Sequence, residues 1–111
     1  MGKQFSGMEN LSLDQLNKYQ VTLHFEMDEE FMNLVPPHRA YVNELIDKGV
    51  IDYYTVSMET QRCWIIINAL TKKEVTKYLQ KSPLHKYWTV EIDELFLYDA
   101  QNYRLPALQL N

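Results

Sequence analysis

Apolar and polar residues alternate strictly along the segment from Tyr19 to Glu26. The odd-numbered positions are apolar and the even-numbered positions are polar, with His24 among the polar ones. Because successive side chains of a strand point to opposite faces, this period of two predicts a β-strand with one buried face. His24 is then expected on the face opposite to Leu23 and Phe25.

A helical pattern follows this strand. The acidic run Asp28-Glu29-Glu30 offers an N-cap and first-turn charges. Proline suits the first turn of a helix but not its interior, so the pair Pro36-Pro37 predicts that the main helix begins near Pro36. The helix runs to Lys48 and ends at Gly49, a residue typical of helix C-termini. One stripe at helical spacing comprises Leu34, His38, Tyr41, Val42, Leu45 and Ile46.

Two strands are predicted next. Val50 to Met58 is rich in β-branched and aromatic residues, which favour strands. Glu59 to Arg62 forms a short reversal, and Cys63 to Asn68 is apolar on both faces. Such a segment is typical of a central strand that is covered on both sides.

The last predicted elements are a short helix and a strand. Thr71 with Glu74 three residues later matches a capping box, and the helix ends near Lys81, before Ser82-Pro83. The segment from Trp88 to Tyr98 is predicted as the final strand, because apolar and polar residues alternate along its first half.

These elements read β-α-β-β-α-β, which predicts an α+β fold: a ferredoxin-like sandwich with a four-stranded antiparallel sheet. The predicted domain spans residues 18–98, between an N-terminal extension over 1–17 and a C-terminal tail over 99–111. Two helices cover only one face of four strands. Since Ile65 or Ile66 must lie on the other face, we expect that face to pair with a copy of the chain, as a homodimer or higher oligomer.

Composition and charge argue against several function classes. The chain has 111 residues and a net charge of -4, with no run of Lys or Arg longer than two, so neither nucleic acid nor an anionic membrane is an expected partner. The single cysteine, Cys63, precludes a Cys-rich metal site, and the three glycines form no phosphate-binding loop. We therefore expect no metal and no cofactor. No apolar leader or membrane-length segment is present in this sequence, which favours a cytoplasmic location.

Spaced residues in the last third of the chain carry a family motif. The pattern L-x3-P-L-x2-Y-x3-E-[VI]-D-x-L is matched by Leu79, Pro83-Leu84, Tyr87, Glu91-Ile92-Asp93 and Leu95. From Gln20 to Leu95 the chain resembles the muconolactone isomerase family, and more loosely the YCII-related proteins. Both belong to the dimeric α/β-barrel group, so the resemblance implies two ferredoxin-like sheets that pack face to face. The opening strand is similar too, since the isomerase family carries a His at the place of His24.

The departures from the isomerase pattern bear on chemistry. That family has Trp-Arg at the places of Thr55-Val56, so an arginine that would grip a substrate carboxylate is missing there. Eleven residues before the glycine the isomerases carry a Glu, whereas this chain has His38 before Gly49. The YCII-related group has a His at that place, to which its catalysis is ascribed. Its partner Asp, in an Asp-Pro pair, corresponds to Ser82-Pro83 here.

His38 is therefore the candidate catalytic residue. Isomerising an unsaturated lactone moves a proton between carbons, and imidazole is a suitable base near neutral pH. A position near the helix start would let the dipole lower its pKa and favour the neutral form. The alternative is a histidine that satisfies its ring nitrogens locally.

Five further residues are candidate ligand contacts: His24, Tyr41, Tyr54, Trp64 and His85. Tyr53, Tyr54 and Trp64 would form an aromatic wall for a planar ligand, although such residues are equally typical of a core or an interface. His24 would line a barrel between subunits or make a cross-strand hydrogen bond. His85, in the loop before the last strand, would lie in solvent or beside a pocket mouth.

Two functional hypotheses remain open. The first is a cofactor-free isomerase or lyase that acts on a small, carboxylated ring compound, with His38 as the proton carrier. The second is a non-catalytic ligand-binding or oligomeric module of the same fold. The retained histidine and closing motif favour the first, and the missing Trp-Arg pair favours the second.

Overall fold

The computed structural model describes residues 16–101 of the chain. The predicted N-terminal extension over 1–17 and the predicted C-terminal tail over 99–111 therefore lie mostly outside the described residues.

Four strands and two helices form the described part of the chain. In order they are β1 (Asn17–Phe25), α1 (Phe31–Asp47), β2 (Ile51–Ser57), β3 (Arg62–Ala69), α2 (Lys72–Gln80), a 3₁₀ turn (His85–Tyr87) and β4 (Trp88–Glu94). The strands form one sheet in the order β2-β3-β1-β4, and every neighbouring pair is antiparallel. The predicted α+β class and four-stranded antiparallel sheet are confirmed, and the order is compatible with a ferredoxin-like fold.

Both helices pack on one face of this sheet. The apolar positions of β1 are buried there, as the alternation predicts, and they meet the buried residues of α1 and α2 in one cluster. Its members include Val21, Leu23, Val42, Leu45, Ile65, Ile67, Val75 and Leu79. Burial of apolar area, at about 25 cal/mol per Å², makes this cluster the main stabilising contact between the layers.

The start of α1 corrects the sequence prediction. The helix begins at Phe31, so Pro36 and Pro37 lie inside it. The Oδ1 atom of Asp28 accepts hydrogen bonds from the N–H groups of Glu30 and Phe31, at 2.9 and 3.1 Å. The Phe31 ring is buried and stacks on Phe25, with the ring centroids 5.4 Å apart. This packing and capping outweigh the loss of two backbone donors to proline.

The other helix ends agree closely with prediction. Gly49 follows α1 with a φ of 79°, a conformation that glycine adopts at little cost. Thr71 Oγ1 accepts a hydrogen bond from the N–H of Glu74 at 3.1 Å, as the capping box requires. The Glu74 carboxylate accepts the N–H of Leu70 at 2.8 Å instead of that of Thr71.

The last strand is shorter than predicted, because β4 ends at Glu94 and not at Tyr98. Its partner β1 begins at Asn17, and the N–H of Leu95 donates to the carbonyl of Lys18 at 2.9 Å. The Tyr98 ring lies with its centroid 4.9 Å from the Lys18 ammonium.

The face opposite the helices, here called the back face, differs from expectation. Ile66 lies on it, opposite Tyr53, but is only 1% exposed within a single chain. Nearby, the Lys18 ammonium donates to Asp52 at 2.6 Å and to Asn68 at 2.7 Å, and the Asn68 amide donates to Asp52 at 2.8 Å. The back face is therefore partly polar, and the exposed isoleucine expected there is covered.

Candidate functional site

His38 lies in the middle of α1 and points into the protein, with 3% of its surface exposed. Its Nδ1 atom is 2.7 Å from the Oγ atom of Ser82, and its Nε2 atom is 2.6 Å from the hydroxyl oxygen of Tyr54. The edge of the Trp88 ring packs against it, at a centroid distance of 5.6 Å. Both ring nitrogens are thus hydrogen-bonded inside the protein.

A bulge in β2 brings Tyr54 to this side of the sheet. Ile51 pairs with Ile67 and Tyr53 with Ile66, so Asp52 is an extra residue in the strand. After the bulge Tyr54 pairs with Ile65 and shares its helix-facing side. Regular alternation from Ile51 would have placed Tyr54 on the back face.

Ser82 belongs to the turn between α2 and the 3₁₀ segment and is buried. Its Oγ atom accepts a hydrogen bond from the N–H of Leu84 at 3.0 Å, which fixes the side chain beneath His38. The Ser82-Pro83 pair, expected from the resemblance to replace an acidic partner, thus supplies a neutral hydroxyl to the histidine.

His38 is neutral at pH 7. Burial lowers its pKa from 6.5 to about 4, and the adjacent positive charge of Arg39 adds to this effect. The expectation that the helix dipole lowers this pKa is wrong, because α1 begins at Phe31 and His38 lies beyond its first turn.

A neutral imidazole carries one N–H, so the hydrogen bonds of His38 have two arrangements. In one, Nδ1–H donates to Ser82 and the Tyr54 hydroxyl donates to Nε2. In the other, the Ser82 hydroxyl donates to Nδ1 and Nε2–H donates to the Tyr54 oxygen. Both arrangements leave the row of His38, Ser82 and Tyr54 uncharged.

Cys63 adjoins this row, and its thiol contributes to the raised pKa of Tyr54. Burial raises the pKa of the Tyr54 hydroxyl well above its usual value and the pKa of Cys63 to about 12. Both groups keep their protons at neutral pH, so Cys63 has no thiolate character there.

An apolar cavity of about 290 Å³ lies against this row, between α1, β2 and β3. Arg39 is the only charged side chain in its lining. The lining comprises Phe25, Phe31, Met32, Val35, His38, Arg39, Tyr54, Val56, Met58, Cys63, Leu84 and Trp88. We call this cavity the His38 pocket; its apolar walls and few polar groups are typical of small-molecule sites.

Of the six residues predicted for the site, the structure brings His38 and Tyr54 together in this pocket. The hydroxyl of Tyr41 donates to the carbonyl of Tyr78 at 2.8 Å, outside the pocket lining. The His85 ring lies 6.1 Å from that of Trp88 and is also outside the lining. The predicted position of His24 on the back face is confirmed by its pairing between Arg62 and Thr89.

The aromatic wall expected from Tyr53, Tyr54 and Trp64 does not form. Tyr53 and Trp64 lie on the back face, where they border a shallow hollow, whereas the bulge puts Tyr54 on the opposite side. His24 borders a third, larger hollow of about 650 Å³ at the end of the sheet. That hollow is more open and mainly polar, so water competes there with any ligand more than in the apolar His38 pocket.

Sequence reasoning did not identify Arg39 or the apolar pocket residues on α1 and β2 as part of the site. Arg39 directly follows His38, and this adjacency is the only sequence signal for it. Met32 and Val35 precede the proline pair, in a segment that was not expected to be helical.

Within residues 16–101, no group of three or more His, Cys, Asp or Glu side chains is arranged to hold a metal ion. In the same part of the chain, neither helix has the length and apolar character needed to span a bilayer. Compared with known protein families and with curated proteins, the sequence matches no family model and no curated sequence.

Proposed function

We propose that this protein is a cofactor-free enzyme, an isomerase or lyase, that moves a proton within a small, carboxylated ring compound. The observation that carries the proposal is the His38–Tyr54 hydrogen bond of 2.6 Å at the wall of the apolar His38 pocket. The pocket would hold the ring, and the pair would exchange protons with it.

The proton transfer runs through Tyr54. As a substrate C–H bond breaks, its proton passes to the Tyr54 oxygen while the Tyr54 proton passes to Nε2 of His38. The carbanion left on the ring is delocalised by a conjugated carbonyl group. The reverse transfer then delivers a proton to a second carbon, so the enzyme returns to its starting state.

The negative charge that forms on the ring favours these proton transfers. The pKa of about 4 makes His38 a weak base in the free protein. A negative charge that develops on the bound ring raises the pKa of the nearby imidazole, because opposite charges a few ångströms apart favour each other. The apolar walls strengthen this effect by excluding water. Only substrates with an acidic C–H bond would therefore react.

The test is turnover of a panel of unsaturated lactones, followed by ultraviolet absorbance and by loss of deuterium from labelled carbons. Wild type should turn over at least one lactone, and His38→Gln and Tyr54→Phe should each lose at least about a hundredfold in rate. Tyr53→Phe is the matched control, since Tyr53 lies on the back face. Equal rates for wild type and Tyr54→Phe would exclude the proposed route.

A second candidate function, ligand binding without chemistry, is favoured by a different observation. Both nitrogens of His38 already have partners in the protein, Ser82 and Tyr54, which satisfies a buried imidazole structurally. A binding module would retain a ring compound in the pocket, and its affinity would survive in His38→Gln while no labelled proton is lost.

We also propose that the chain pairs with a copy of itself in the cytoplasm, through the back faces of two sheets as in a dimeric α/β barrel. Two observations support this pairing: Tyr53 and Trp64 border a hollow on the back face, and Phe96, just beyond β4, is fully exposed. Light scattering should give twice the chain mass for wild type and a lower mass for Trp64→Ser. A monomeric wild type at micromolar concentration would contradict the pairing.

A further inference from the structure

Arg39 brings a positive charge to the mouth of the His38 pocket. Among residues 16–101 it is the only charged residue in a lining that is otherwise almost wholly apolar. Its guanidinium carbon lies 5.4 Å from the centroid of the Tyr54 ring, the side chain that also contacts His38. Arg39 is exposed, so its guanidinium is accessible from solvent.

Within residues 16–101, no carboxylate forms an ion pair with Arg39. The ion pairs found among residues 16–101 join Lys18 with Asp52 and Lys48 with Glu44. The side-chain hydrogen bond found for Arg39 goes to the neutral amide of Asn43, at 3.5 Å, the long limit for such a bond. Its fork of N–H donors is therefore available to an anion.

The field of this charge reaches the polar row inside the pocket. Arg39 contributes to the low pKa of His38, and it opposes the rise in the pKa values of Tyr54 and Cys63. A guanidinium close enough to act on all three groups is close enough to act on a ligand that lies between them.

We infer that Arg39 is the residue that binds the carboxylate of the ligand, and that it selects monoanionic acids with one apolar ring. A planar guanidinium grips a carboxylate through two parallel N–H···O bonds, which fixes its orientation as well as its position.

Cavity volume limits the size of the acid. A liquid water molecule occupies about 30 Å³, so about 290 Å³ holds roughly ten non-hydrogen atoms. This is the size of one six-membered ring with a short acid chain. With the carboxylate on Arg39 at the mouth, the ring lies inside and presents a carbon to the hydroxyl of Tyr54. The inference rests on the proposed function, because it uses the same pocket.

The experiment compares phenylacetate with its neutral isostere phenylacetamide by isothermal titration calorimetry. The proteins are wild type, Arg39→Gln and Arg62→Gln, the last a matched control that removes an arginine of β3 outside the pocket lining. Phenylacetate should bind wild type and Arg62→Gln equally, and bind Arg39→Gln at least about tenfold more weakly. Phenylacetamide should bind all three proteins within about twofold.

Three results would overturn the inference: no binding of phenylacetate to wild type at millimolar concentration, unchanged binding in Arg39→Gln, or an equal loss for acid and amide. The proposed proton transfer can be excluded independently of the role of Arg39. If phenylacetate binds through Arg39 while no lactone is turned over, Arg39 still binds the carboxylate and the proton transfer is excluded. If lactones are turned over equally by wild type and Arg39→Gln, the proposed proton transfer is retained and the role of Arg39 in substrate binding is excluded.

Discussion

The Nε2 atom of His38 and the hydroxyl oxygen of Tyr54 lie 2.6 Å apart, although one belongs to a helix and the other to an edge strand. The helix end at Gly49 reverses the chain, and the bulge at Asp52 turns Tyr54 towards the helix. A buried imidazole thereby gains a partner that a regular strand would have placed on the other side of the sheet. Several measurable properties follow from this contact.

The low pKa of His38 predicts that the protein loses stability in mild acid. Below pH 6.5 the unfolded chain takes up a proton at this histidine, whereas the folded protein takes it up only near pH 4. The free energy of unfolding therefore falls as the pH drops through this window, by up to about 3 kcal/mol. Above pH 6.5 the contribution of His38 does not change with pH.

Urea denaturation between pH 7 and pH 4 measures this effect. The stability difference between wild type and His38→Gln should be constant above pH 6.5 and should shrink below it. Parallel curves for wild type and His38→Gln would contradict the prediction.

Removing the hydroxyl of Tyr54 should destabilise the fold. In Tyr54→Phe, Nε2 of His38 loses its partner in a buried site, which costs about 1–3 kcal/mol. Tyr53→Phe deletes the same atom from the neighbouring residue on the back face and should change stability by less than about 0.5 kcal/mol. Equal effects of the two variants on the urea midpoint would show that the His38–Tyr54 bond contributes nothing.

An acidic side chain at residue 82 should raise the pKa of His38. In Ser82→Asp a carboxylate replaces the hydroxyl that lies 2.7 Å from Nδ1, and its negative charge favours the protonated imidazole. The pKa of His38 should rise above about 4 in that variant and stay low in Ser82→Asn, which has a similar shape without the charge. Nuclear magnetic resonance titration of the imidazole C–H signals measures both values, and equal values would refute the charge effect.

The polar network on the back face should contribute to stability as well. Asn68 is buried and bonds to the carbonyl of Gly49, to Asp52 and to Lys18. Asn68→Ala leaves these groups without that partner and should cost about 1–3 kcal/mol. Asn33→Ala, on the exposed side of α1, is the control and should stay within about 0.5 kcal/mol in thermal or urea unfolding.

The fold could be predicted from local patterns in the sequence. The alternation from Tyr19 to Phe25, the glycine after α1 and the capping box at Thr71 each specify local structure through bonds or faces within a few residues. Their order restricts the topology, because a β-α-β-β-α-β chain has few right-handed arrangements. Such features can be predicted from a sequence because each depends on residues that are close to it along the chain.

The parts that sequence reasoning missed depend on distant contacts. The first turns of α1 form despite Pro36-Pro37 because Phe31 packs against Phe25. The side of Tyr54 depends on one extra residue at Asp52, whose carboxylate is held by Lys18 and Asn68. The His38 contact with Ser82 spans 44 residues, and no local pattern encodes it.

The proline pair inside α1 also has a consequence for the rate at which molecules reach the His38 pocket. Prolines at 36 and 37 remove the backbone donors that would bond the carbonyls of Met32 and Asn33, so the turns that carry Phe31, Met32 and Val35 are tied less firmly to the rest of the helix. Local opening has its lowest free energy where such bonds are fewest. We expect amide hydrogens in this stretch to exchange faster than those after His38, and ligand exchange to proceed through this wall.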